Sequence, residues 1–146
     1  QININWQNQN DYLRTPFYSA CRNGHIGIVK LLLNDNRIDI NKANNDGATP
    51  FYIACYNGRI EIMKLLLNDN RIDINKASND GLTPFLLACR YGRTKVVKYL
   101  LESGKKIDIN QKDKHGKTGL DYAKENGKTD IVKLIESFQK ICKNPF

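Results

Sequence analysis

The 146-residue chain lacks the residue patterns that most enzymes and metalloproteins need. It has no Gly-x-Ser-x-Gly elbow to expose a nucleophile and no Gly-x-x-x-x-Gly-Lys loop to cradle phosphate. Its two histidines, His25 and His115, have neither a nearby nucleophile nor metal-ligand spacing, and the four cysteines form no C-x-x-C pair. Catalysis, a bound metal and a cofactor are therefore not expected. Long apolar runs are also missing. The longest are a few residues, against the roughly 20 that a bilayer requires, and the amino terminus has no basic-then-apolar leader pattern. A soluble chain without a membrane span is expected. It opens without Met on Gln1-Ile2-Asn3-Ile4-Asn5, similar to the internal Ile38-Asp39-Ile40-Asn41, and reads as a segment of a longer protein.

What the chain does contain is one unit repeated. Thr-Pro-Phe begins at Thr15, Thr49 and Thr83, and a variant Thr-Gly-Leu begins at Thr118, so the spacings are 34, 34 and 35 residues. Lys30–Ala43 is identical over 14 residues to Lys64–Ala77. A period of this length predicts a solenoid in which each unit packs only on its neighbours. Within the second unit, Thr49 can cap a helix that Pro50 begins, and Gly58 offers the left-handed conformation that a tight turn needs. A second helix is expected from about Arg59 to Asn68, with Ile62, Met63, Leu66 and Leu67 on one face and Arg59 and Lys64 facing water. The same stripe recurs as Ile28, Val29, Leu32 and Leu33, and as Val96, Val97, Leu100 and Leu101. Between units, Ile72-Asp73-Ile74 has extended character and Asn79-Asp80-Gly81 a turn signal, which together predict a β-hairpin-like finger.

The copies differ in informative ways. Cys21, Cys55 and Cys89 occupy one position, so stacked units would hold them roughly 8–10 Å apart, beyond the Cα separation of about 7 Å that a disulfide tolerates. Small buried free thiols of a reducing compartment are expected, with Cys142 exposed in the tail. In the fourth unit Lys124 replaces that cysteine and Glu136 replaces the leucine of Leu33, Leu67 and Leu101, as a terminal capping unit requires. Phe138, Ile141 and Phe146 are expected to fold back over its last helix. At the other end Trp6, Tyr12 and Leu13 form a partial lid, or a further repeat precedes them. Net charge is +8, with the excess in the carboxy-terminal half. It is either an ordinary solvated face or an attraction for an acidic protein, nucleic acid or anionic membrane.

Asp46-Gly47-x-Thr49-Pro50-Phe51, with Ala54, Gly58, the Glu61–Leu67 run and Asn75, closely resembles the ankyrin repeat, whose core reads G-x-T-P-L-H-x-A…G…I-V-x-x-L-L…N. The resemblance covers all but the first dozen and last few residues. It departs in Phe for the usual Leu, in Tyr18, Tyr52 and Leu86 for the usual His, and in a loop one residue longer. It implies an all-α ankyrin-repeat solenoid: one domain of four helix-turn-helix units, about 1–40, 41–74, 75–109 and 110–146, with β-hairpin-like finger loops.

The resemblance also implies a protein-interaction module, intracellular and cytoplasmic rather than nuclear, monomeric, whose partner lies on the concave face of fingers and first helices. Carried over, that face is Arg22, Asn23, Asn45, Asp46, Ala48, Tyr56, Asn57, Asn79, Asp80, Leu82, Arg90, Tyr91, Lys114, His115, Lys117, Glu125 and Asn126, with Tyr56, Leu82, Arg90 and Tyr91 as the central patch. Two alternatives stand beside it. One is weak binding of nucleic acid or acidic lipid through Arg90, Arg93, Lys95, Lys98 and the Lys-rich fourth unit, with no specific nucleic acid expected because no base-reading motif accompanies the charge. The other is a targeting or regulatory segment of a larger enzyme. Asn41 and Asn75 each end a Leu-x-x-x-x-x-Asp-Ile-Asn pattern, from Leu33 and Leu67, similar to the asparaginyl-hydroxylation pattern of ankyrin repeats. They can equally tie one finger to the next through backbone hydrogen bonds.

Overall fold

A computed structural model describes residues 2–144, as eight helices in four antiparallel pairs. The pairs are α1 (Pro16–Asn23) with α2 (Ile26–Leu33), α3 (Pro50–Tyr56) with α4 (Ile60–Leu67), α5 (Pro84–Arg90) with α6 (Thr94–Glu102), and α7 (Gly119–Glu125) with α8 (Thr129–Lys143). Each first helix starts where the Thr-Pro pair places it. The hydroxyls of Thr15, Thr49 and Thr83 accept from the N–H groups of Tyr18, Tyr52 and Leu86 at 3.0, 3.0 and 3.1 Å. Proline, which has no N–H to satisfy, fills the first turn. Where the fourth unit has Gly119 instead, a reciprocal capping box forms between Thr118 and Asp121.

First helices pack on first helices, α1 on α3 on α5 on α7, and one buried Phe from each of the first three units contributes to the core there: Phe17, Phe51 and Phe85. The second-helix stripe is buried as expected in units two and three: Ile62, Met63, Leu66 and Leu67, then Val96, Val97, Leu100 and Leu101. In unit one only Val29 is buried. Ile28 is 51% exposed, and Ile26 and Leu31 are open too. The stripe is the same, but among the described residues α2 has a second helix only on its α4 side.

The amino-terminal lid also differs from expectation. Trp6 and Tyr12 are exposed, and Ile4 is the side chain that packs against the core. The reason is that residues 8–14 close as a finger of their own. Asn8 bridges Arg14, and Asn45 N–H donates to the Tyr12 carbonyl as Asn79 N–H donates to that of Asp46. Tyr12 therefore sits at a fingertip with its ring outward.

At the far end Lys124 and Glu136 are exposed, as expected, with 4.0 Å between their charged atoms. Phe138 packs partly on the core, but Ile141 is exposed because α8 continues straight to Lys143. Phe146 lies outside the described residues.

No β-strand forms among the described residues. Each finger closes instead on a tight turn, with single bonds Asn44 N–H to Ala48 O, Ser78 N–H to Leu82 O and Asp113 N–H to Lys117 O. The Ile72-Asp73-Ile74 segment cannot pair as a strand because its donor is already engaged: Asp73 N–H donates to Asn41 Oδ1 at 2.9 Å. This is one rung of a ladder. Asn5, Asn41 and Asn75 each accept from a backbone N–H of the equivalent connection one repeat further on (Asp39, Asp73, Asp108) and donate to one of its carbonyls (Arg37, Arg71, Lys106). The structural role anticipated for Asn41 and Asn75 is the one their side-chain amides perform.

No described helix is long and apolar enough to cross a membrane. Cys21, Cys55 and Cys89 are buried, and burial pushes all three thiols up, Cys21 and Cys89 to about 12. Since the thiolate is the reactive form, only exposed Cys142 should react promptly with a thiol reagent near neutral pH, and all four should react in denaturant. Prompt native reaction of more than one thiol would contradict this burial.

Candidate protein-binding face

The repeat register arranges the concave side in rows. Asp46 and Asp80 occupy equivalent fingertip positions, Tyr18 and Tyr52 equivalent positions in the first turn of α1 and α3, and Arg22, Tyr56 and Arg90 equivalent positions in the last turn of α1, α3 and α5. All of these but Arg90 line an open groove of about 530 Å³ across units one to three.

Its floor is aromatic. Tyr56 and Tyr91 meet edge to face, with ring centres 5.3 Å apart at 79°, and Tyr52 and Tyr18 continue the surface. Burial raises the phenol pKa of both Tyr18 and Tyr52, so these rings are neutral hydrogen-bonding groups. The Tyr18 hydroxyl accepts from Asn44 Nδ2 at 3.2 Å. Arg14 enters from the first finger, bonded to Asp11 at 2.9 Å and lying 4.9 Å from the centre of the Tyr12 ring and 5.8 Å from that of Tyr18. Asp46 and Asp80 are exposed, and neither carboxylate is ion-paired among the described residues.

Of the side chains expected on the face, the structure gathers Arg22, Asp46, Tyr56, Asn79, Asp80 and Tyr91 around one groove. Arg90 stands at its edge, its guanidinium between Tyr91 (5.5 Å) and Tyr122 (5.4 Å). Leu82 is a correction. It is only 5% exposed, packed with Leu86 and Tyr122, so it supports the floor rather than offering itself to a partner. Ala48 is likewise buried. Asn45 and Asn57 are engaged in stitching units together, through Asn79 Nδ2 to Asn45 O and Asn57 Nδ2 to Arg22 O, both 3.0 Å.

Lys114, His115 and Lys117 lie in the fourth unit, outside the groove. There Lys117 pairs with Glu125 at 2.8 Å, and Asp113 accepts from the His115 and Lys117 N–H groups and from the Tyr122 hydroxyl. Burial works to raise the Asp113 carboxyl, but these donors outweigh it and hold the pKa below the usual range.

Sequence reasoning missed Arg14, Tyr18, Tyr52 and Ser78. The signal for the two tyrosines was present: they stand where the repeat pattern has His. Arg59 is exposed, as expected, but it does more than face water. Its Nε donates to Arg22 O at 3.2 Å, as Arg93 Nε donates to Tyr56 O at 2.9 Å, each completing the end of the preceding unit's first helix.

A family model described as ankyrin repeats (3 copies) matches residues 1–78 and again 70–144. The chain belongs to the ankyrin-repeat family. No curated protein matches it. Ankyrin repeats are generally protein–protein interaction modules and typically non-catalytic. In this ankyrin-repeat chain the groove joins a tyrosine floor to the fingertip carboxylates of Asp46 and Asp80 and to Arg14 and Arg22.

Proposed function

We propose that this ankyrin-repeat domain binds a protein partner in the tyrosine groove of units one to three, with Tyr52, Tyr56 and Tyr91 as anchors and Arg22, Asp46, Asp80 and Arg90 setting register. The groove itself carries this reading. It joins aromatic and arginine side chains, the types that dominate interface energetics, to two exposed carboxylates without ion-pair partners. The three buried thiols support placing the domain inside the cell, in the cytoplasm, and we take it to act as a monomer. Binding of an anionic polymer is the weaker reading, since Arg93 and Lys117 of the basic set are engaged within the protein.

The test is a partner recovered by affinity capture and re-measured with purified variants. The combined Tyr56→Ala, Arg90→Ala and Tyr91→Ala change should weaken binding by at least about 100-fold, since central anchors cost about 2 kcal/mol or more each on truncation. Circular dichroism should stay unchanged. Exposed Lys95 and Lys98 are the control. If their replacement abolishes binding and the triple change does not, the partner uses the helix face on the other side.

A further inference from the structure

Resting on the groove reading above, the charge arrangement narrows the kind of partner. The fingertip row runs Tyr12, Asp46, Asp80, acidic in its second and third members, with Arg14 of the first finger entering beside Tyr18, and the row in the last turn of the first helices is Arg22, Tyr56, Arg90. The two carboxylates lie within electrostatic reach of the floor, Asp46 of Tyr18 and Asp80 of Tyr52. In the fourth unit the polarity reverses: the finger carries Lys114, His115 and Lys117, and the helix row carries Glu125, closed off by the Lys117–Glu125 pair. The acidic rim is therefore the two central fingertips, facing the Arg22, Tyr56, Arg90 row.

The backbone of the fingers offers no open edge for a strand to join. Asn45 N–H is bonded to Tyr12 O and Asn79 N–H to Asp46 O, while Asn44 and Ser78 close their own turns. A β-strand would also send alternate side chains away from the surface, leaving the two charged rows unread. A helix presents three adjacent stripes at once, which is what a floor with two unlike rims can accept. The spacing agrees: stacked units repeat at roughly 8–10 Å, close to two helical turns at about 10.8 Å. Residues seven apart on a partner helix would thus meet equivalent positions of successive units.

We propose that the groove's occupant is an amphipathic α-helix of about 14 residues with charge-segregated flanks. An apolar or aromatic ridge rests on Tyr52, Tyr56 and Tyr91, basic side chains seven residues apart face Asp46 and Asp80, and acidic side chains face Arg22 and Arg90. Opposite charge on each rim sets the direction in which the helix lies.

Three labelled synthetic peptides of about 18 residues test this against the intact chain by fluorescence anisotropy, with amide shifts of the isotopically labelled protein as the map. The first carries a Leu ridge with Lys on one flank and Glu on the other. The second has the same composition with Lys and Glu mixed on both flanks, and the third is the first with two central prolines. A charge-swapped peptide would be no control, because reversing the helix direction exchanges its flanks.

The first peptide should bind at least about tenfold more tightly than the others, gain helicity on binding, and shift amides around Tyr52, Tyr56 and Asp80. The Asp46→Asn and Asp80→Asn double variant should remove most of its advantage over the mixed peptide. Equal binding of the mixed or proline peptide in the groove, or no binding of the first, overturns the helix inference while leaving the groove reading intact. Tight binding of the first peptide with shifts only around Lys95 and Lys98 overturns both.

Discussion

Ile62→Ala should destabilise the protein by about 2–5 kcal/mol, whereas Ile28→Ala, the same substitution at the same repeat position one unit earlier, should cost about 1 kcal/mol or less. Both positions carry isoleucine in the second helix of their unit, yet Ile62 is 2% exposed and Ile28 is 51% exposed. Truncating Ile62 leaves a hole among Met63, Leu66 and the helix of the preceding unit, so lost transfer energy and an unfilled cavity add. Truncating Ile28 removes carbon that is already about half in water. In a solenoid the loss at Ile62 is also felt twice, since that side chain belongs to an interface between units as well as to its own hairpin. Urea unfolding with an unchanged slope reads the difference directly as a shift in midpoint. Equal costs for the two substitutions would mean that the α2 face is covered in solution, by self-association or otherwise.

That pair marks the boundary of what was legible from residues alone. The helix starts, the buried stripes of units two and three, the three buried cysteines and the asparagine ladder could all be read. Each depends on a residue and its own unit, or on a neighbour that repeats it in register. Burial that depends on what lies beyond a unit could not be read the same way. Ile28 has the same local sequence role as Ile62 and a different exposure because it has a different neighbour.

Leu82 failed for a related reason. It occupies the fingertip position of Ala48 and Lys117, but its burial comes from Tyr122 of the following unit. The hydrogen bonds that exposed Arg59 and Arg93 also make were not legible, because their acceptors are main-chain carbonyls, which no residue type marks. Arg14 reaches the groove only because Tyr12 and Leu13 turn the first finger with φ of 53° and 58°, a conformation that carries no glycine signal here.

The fingers are where a small substitution should do the most to the recognition surface. Gly47→Ala is expected to cost about 2–5 kcal/mol, the sum of left-handed backbone strain and a steric conflict, while Gly58→Ala should cost about 1 kcal/mol from strain alone. Both glycines have positive φ, 76° and 63°. They differ in the space around them. A methyl at Gly47 would lie 2.5 Å from Asn79 Oδ1 and 2.9 Å from Asn79 N, whereas nothing lies within 4 Å of one at Gly58. Asn79 cannot yield freely, because its N–H donates to Asp46 O and its Nδ2 to Asn45 O, the two bonds that hold the second and third fingers in register. Pushing it away leaves those carbonyls unpaired and moves Asp80 relative to Asp46, so the acidic rim loses its spacing. The two effects separate experimentally. Thermal or urea unfolding gives the stability cost of each substitution, and partner or peptide affinity measured well below the midpoint gives the effect on the rim. Gly58→Ala should change affinity little. If Gly47→Ala lowers stability as stated and leaves affinity untouched, the fingertips hold the stack together without taking part in recognition, and the partner is read by the tyrosine floor and the arginine row alone.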